Sequence, residues 1–126
     1  MKTLTYLIAF CLTTSFAYAQ TPATDAAPLD SLAHLSQRYL NKQQPDSLYA
    51  LMGTAFRQQV SAEQLRTVMG QLQGQLGNWT GLERRSITNG LARYKATFAL
   101  ATLDFYISRD KQGRIETFAF KPLQEN

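Results

Sequence analysis

The ten residues Asn89-Gly90-Leu91-Ala92-Arg93-Tyr94-Lys95-Ala96-Thr97-Phe98 decide the fold of this chain. Asn-Gly suits a two-residue hairpin turn, because both of its central positions need positive φ. Behind that turn Tyr94, Ala96 and Phe98 alternate with Arg93, Lys95 and Thr97, the period of a strand with one face in a core. Toward the C-terminus, Leu103, Phe105 and Ile107 alternate with Asp104, Tyr106 and Ser108. Asp110-Lys111-Gln112-Gly113 then makes a turn, and Arg114 to Lys121 forms a last strand with Ile115, Phe118 and Phe120. Upstream, Trp79 to Thr88 reads as a less regular strand with a polar middle at Arg84-Arg85. Consecutive strands joined by short turns make an antiparallel meander.

Before Gly77 the period is helical. Leu29, Leu32, Leu35 or Ser36, Tyr39 and Leu40 place one apolar stripe on a helix from about Asp30 to Lys42. Pro45 and Asp46 suit a first helical turn, and Leu48, Leu51, Met52, Ala55 and Phe56 continue as the apolar face of a second helix. Ser61-Ala62-Glu63-Gln64 is a capping box opening a third, with the stripe Leu65, Val68, Met69, Leu72 and Leu76. Gly77 is placed to end that helix in a left-handed turn. Gly70 and Gly74 share one helical face, where they either admit a close neighbour or are simply tolerated. Helices followed by a meander predict an α+β domain, with N-terminal helices on one face of an antiparallel sheet of about four strands.

The first nineteen residues read as an export signal rather than part of the fold. Lys2 is the positive start, Leu4 to Leu12 the apolar core, and Ala17-Tyr18-Ala19 the small-x-small pattern that a signal peptidase accepts. The alternatives fit less well. The apolar stretch is short of the roughly 20 residues of a membrane span, and lipidation at Cys11 would put bulky Phe10 where a small residue is wanted. Cleavage after Ala19 leaves 107 residues, with Gln20 to Pro28 as a flexible leader and residues 29–126 as one domain. It also removes the only cysteine, so stability must come from packing although the exported compartment permits disulfides.

The 13 basic and 9 acidic residues give a formal charge of +4, and losing Lys2 lowers it to +3. No run is longer than Arg84-Arg85, which argues against a nucleic-acid partner.

Several short stretches together resemble a known family. These are Leu48-Tyr49-Ala50-Leu51-Met52 with Phe56, Ser61-Ala62-Glu63-Gln64-Leu65, and Leu76-Gly77-Asn78-Trp79. The others are Thr97-Phe98, Leu103-Asp104-Phe105 and Gly113-Arg114-Ile115-Glu116-Thr117-Phe118. Over about Leu29 to Pro122 the chain resembles the exported bacterial domains of unknown function of the nuclear-transport-factor-2-like (cystatin-like) superfamily. These domains often stand ahead of serine hydrolase domains. The resemblance implies a curved sheet wrapped around helices as a cone, with room for a cavity. It transfers no catalytic motif.

His34 is the only histidine and has no partner suggested by spacing, so it reads as structural. Without other His or Cys no zinc site is expected, and Asp104, Asp110 and Glu116 are too scattered for calcium. Asp104 and Glu116 are the one pair of carboxylates on neighbouring strands. Alternation turns Asp104 away from the helices, where a solvated acid paired with Arg93 or Lys95 is the simpler reading. Asn78-Trp79-Thr80 matches a glycosylation acceptor, a motif frequent by chance. The aromatic set reads first as core. If the cone holds a cavity, Tyr39, Tyr49, Trp79, Tyr94, Phe105 and Phe118 are the side chains to line it. The link Ala99-Leu100-Ala101-Thr102 lacks the usual turn residues, so it is either covered by another element or an apolar patch for a partner, with Leu100 at its tip.

The expectation is a non-enzymatic exported domain that binds a small apolar ligand or a protein partner, with no cofactor, no metal and no catalytic residue assigned. Two alternatives stand beside it. One is a small cavity enzyme, with proton-transfer or hydrolase-like chemistry using Asp104, Tyr94 or Tyr106. The other is a module that self-associates as a homodimer through the sheet or the Ala99–Thr102 tip.

Overall fold

A computed structural model describes residues 26–123. The export signal, cleavage after Ala19, Cys11 and most of the leader lie outside the described residues. Among the described residues four helices precede four strands. Helix α1 covers residues 26–41. It is followed by α2 (Pro45–Ala50), α3 (Thr54–Gln59), α4 (Ala62–Leu76), β1 (Trp79–Thr88), β2 (Leu91–Phe98), β3 (Thr102–Arg109) and β4 (Ile115–Pro122). The strands form one open antiparallel sheet in the order β1-β2-β3-β4. The chain is therefore an α+β domain of N-terminal helices on a four-stranded meander. No helix among the described residues is long and apolar enough to cross a membrane.

The turn at Asn89-Gly90 forms as its sequence requires, with φ of 51° and 80°. It sets the register that pairs Thr88 with Leu91 and runs back to Trp79 opposite Phe98. Ala92, Tyr94, Ala96 and Phe98 of β2 are buried with Phe105 and Ile107 of β3. They meet Leu29, Ala33 and Leu40 of α1, Leu48 of α2, and Leu65 and Met69 of α4 in one core. Helix α1 is also tied to the sheet edge by polar groups. The Asn41 side-chain amide bonds both the N–H and the C=O of Trp79, at 2.8 and 2.9 Å, and Gln37 donates to the same carbonyl at 2.8 Å. A helix side chain thus stands in for the missing strand neighbour of β1.

Several local expectations are corrected. Helix α1 is already formed at residue 26, so the leader does not extend through Pro28. The single helix expected from Pro45 to Phe56 is two. Between them the Leu51 carbonyl accepts from Ile115 N–H, and the Gly53 N–H donates to the Ile115 carbonyl, both at 2.8 Å. Met52 thereby bridges β4 in parallel and is buried, so β4 has withdrawn these backbone groups from the helical ladder. A side chain on Gly53 would collide with the Asp110 carboxylate.

Helix α4 has both halves of its capping box, but Val68 lies 45% exposed, outside the buried stripe. Gly70 and Gly74 meet nothing where a Cβ would stand, so they are tolerated and admit no close neighbour. Gly77 has φ 80° and ψ −160°, an extended mirror-image conformation open in practice to glycine alone, instead of the expected left-handed helical turn.

The link after β2 is anchored through its backbone while the side chain at its tip stays exposed. Its backbone is held, because Ala99 N–H donates to Asn78 O and Leu100 N–H to Leu76 O, each at 2.9 Å, which satisfies carbonyls at the end of α4. The Leu100 side chain nevertheless remains 73% exposed. Asp104 also departs from expectation. It is on the sheet face opposite the core, as alternation requires, yet it is buried rather than solvated, with Arg93 Nη2 at 3.1 Å.

Candidate functional site

The six aromatic candidates do not converge on one cavity. Trp79, Tyr94 and Phe105 are buried and ring-packed. Phe105 meets Trp79 at 5.0 Å, Tyr94 at 6.1 Å, Phe118 at 5.1 Å and Phe120 at 4.9 Å between ring centroids. Trp79 also stacks on Phe98 at 5.3 Å, and its indole N–H donates to Gly81 O. These edge-to-face and offset pairs fill the space beneath the sheet and serve as core. Tyr39 is half-buried against the same core. Tyr49 belongs to the α2–α3 region, where its hydroxyl donates to Val60 O at 2.9 Å and Arg57 lies 4.9 Å from its ring centre.

Phe118 is the candidate that reaches a surface groove. On β4 it lies beside Phe120. Facing them are Phe56 and Val60 from α3 and its C-terminal end, and Val68 and Leu72 from α4, around a space of about 330 Å³. An adjoining space of about 430 Å³ shares Phe56, Val60 and Phe118 and reaches Gln59, Glu116 and Thr117. The groove exists because the chain turns sharply at Gly53. Helix α3 thereby packs against β4, and α4 lines the other side of the groove with Leu65, Val68 and Leu72. Phe56, Val68 and Leu72 appeared in the sequence only as helical stripe positions. The sharp turn that separates α2 from α3 depends on a contact with β4, for which residues 45–56 hold no local signal.

A second cluster joins α1 to the sheet. The Tyr94 hydroxyl donates to one Asp30 oxygen at 2.5 Å, and Arg84 meets the other at 2.6 Å. Burial, then the hydrogen bond and charge of Asp30, push the Tyr94 hydroxyl far above the ordinary tyrosine range, with Arg84 opposing in part. A tyrosine held this firmly in its acid form is a poor base at neutral pH. No local signal joins Asp30 to Tyr94 or Arg84, from which 64 and 54 residues separate it.

Tyr94 and Asp104 lie on opposite faces of the sheet, so the cavity-enzyme alternative does not find its carboxylate beside this tyrosine. Asp104 shares its face with Arg93 and Tyr106. His34 lies on the exposed side of α1. Its Nδ1–H donates to Asp30 O at 2.8 Å, an ordinary within-helix contact. Among the described residues no group of three or more His, Cys, Asp or Glu is arranged to hold a metal ion. The chain matches no family model, no curated protein and no solved structure.

Proposed function

We propose that this protein is an exported, non-enzymatic domain of the cystatin-like kind that binds an apolar ligand, or an apolar side chain of a protein partner. The groove between α3, α4 and β4 is its binding site. The observation behind this reading is the groove itself: aromatic and aliphatic side chains of three elements leave about 330 Å³ open to the surface. Such a concave, mainly apolar space is the common form of a small-molecule site. The export signal supports the compartment. The ring-packed interior favours a surface groove over an enclosed cavity, and the commitment of Tyr94 to Asp30 favours binding over catalysis.

The test uses an apolar fluorescent probe, 8-anilinonaphthalene-1-sulfonate, on the folded protein and on Val68→Glu. Val68 is already 45% exposed, so the substitution is expected to leave the fold intact. Saturable probe binding that falls on the order of tenfold in the variant, as expected for charge in an apolar site, supports the groove. Absent binding, or equal binding by both proteins, overturns it.

A further inference from the structure

The face of the sheet turned away from the core holds a row of charges in strict register. Glu83 of β1 stands opposite Lys95 of β2, Lys95 opposite Asp104 of β3, and Asp104 opposite Lys121 of β4. Directly opposite residues of an antiparallel pair project from the same face. The row therefore runs minus, plus, minus, plus across all four strands. Other contacts confirm the face: Arg93 meets Asp104 at 3.1 Å, and Lys121 Nζ lies 5.3 Å from the Tyr106 ring centre. Glu83 and Lys121, at the two ends, are exposed.

A row of this kind is complementary to its own reverse. We infer that two copies of this chain meet through this face, about a two-fold axis parallel to the strands and passing between β2 and β3. That operation lays β1 on the second copy's β4 and β2 on its β3. Glu83 then faces the second copy's Lys121, while Lys95 comes over its Asp104, which is buried and paired with Arg93 of its own copy and so adds only longer-range attraction. The neighbouring row, Ser86–Arg93–Tyr106–Ala119, meets its reverse without setting like charges against each other, since Arg93 is its one charged member. A two-fold axis across the strands would instead set Glu83 on Glu83 and Lys95 on Lys95. The charges therefore choose the axis as well as the face. Flanking Thr97, Thr102 and Ala119 are small enough for two sheets to approach at roughly 10 Å. The inference does not depend on the groove, which lies on the other side of the sheet.

The experiment is sedimentation velocity on the purified protein across concentration, at low salt. Dimer is expected, weakening as salt screens the rows. Lys121→Glu and Glu83→Lys each reverse two symmetric contacts and should weaken association on the order of tenfold. The double charge swap restores it to within about threefold of the original. Within one copy Glu83 and Lys121 are three strand spacings apart, about 14 Å, so rescue reports a contact between copies. A monomer at every concentration overturns the inference, as does a double variant no tighter than the weaker single one. Melting curves accompany each variant: each substitution sets a like charge opposite Lys95 or Asp104 in its own sheet, a loss of about 1 kcal/mol or less, so rescue is read from association and not from stability.

Discussion

Tyr94 shows how a single residue couples helix to sheet. Its ring is part of the core, and its hydroxyl reaches Asp30 of α1 at 2.5 Å. The unfolded chain's tyrosine ionises near the ordinary value of 10.0, while the folded one holds its proton to higher pH. Above about pH 10 the unfolded state therefore binds fewer protons than the native state, and stability falls as pH rises. Below that pH this contribution is fully present. Melting temperature is expected to drop between about pH 9.5 and 11 more steeply for the wild type than for Tyr94→Phe. At neutral pH the variant should lose about 1 kcal/mol, a modest figure because the Asp30 carboxylate is partly solvated. Superimposable pH profiles would refute this account.

At the scale of elements, the boundary between α4 and β1 is a tightly constrained turn. Gly77 takes φ 80° and ψ −160°, and a Cβ there would stand 2.8 Å from Ala99 Cβ. Gly77→Ala thus meets backbone strain and a clash together, and chemical denaturation should show a loss of about 2–3 kcal/mol. Gly74→Ala, three residues earlier on an open helical face, should instead gain about 0.5–1 kcal/mol. If both substitutions proved neutral, the conformation assigned to the turn would be wrong. The presence of a helix stop at Gly77 was legible in the sequence, but its shape was not. The Leu100 and Ala99 backbone groups that bond Leu76 and Asn78 arrive from over twenty residues downstream.

Over the whole molecule, stability rests on one aromatic core under a four-stranded sheet. Phe105 is at its centre, buried and in ring contact with Trp79, Tyr94, Phe118 and Phe120. Truncation to alanine leaves a cavity bordered by four rings, and equilibrium unfolding should record a loss of about 3–5 kcal/mol. A loss below about 1 kcal/mol would mean that the rings do not pack as described. The two faces of the sheet divide the remaining work. The inner face packs on the helices and borders the groove, while the outer face presents the charged rows.

The sequence by itself determined the four strands, the turns at Asn89-Gly90 and Asp110–Gly113, the capping box at Ser61 and the face on which Asp104 stands. Each of these follows from local backbone preference or from a period of two or 3.6, which neighbouring residues carry without help. Tertiary structure alone decided the break at Met52, the burial of Asp104, the Asp30–Tyr94–Arg84 cluster and the groove. In each case the partner is supplied by a distant segment: Ile115 withdraws Leu51 and Gly53 from their helix, and Asp30 comes to Tyr94 across 64 residues. Even the charged row on the outer face became visible only once register set Glu83, Lys95, Asp104 and Lys121 side by side. Spacing along the chain specifies which way a side chain points, and only the paired strands specify what it meets.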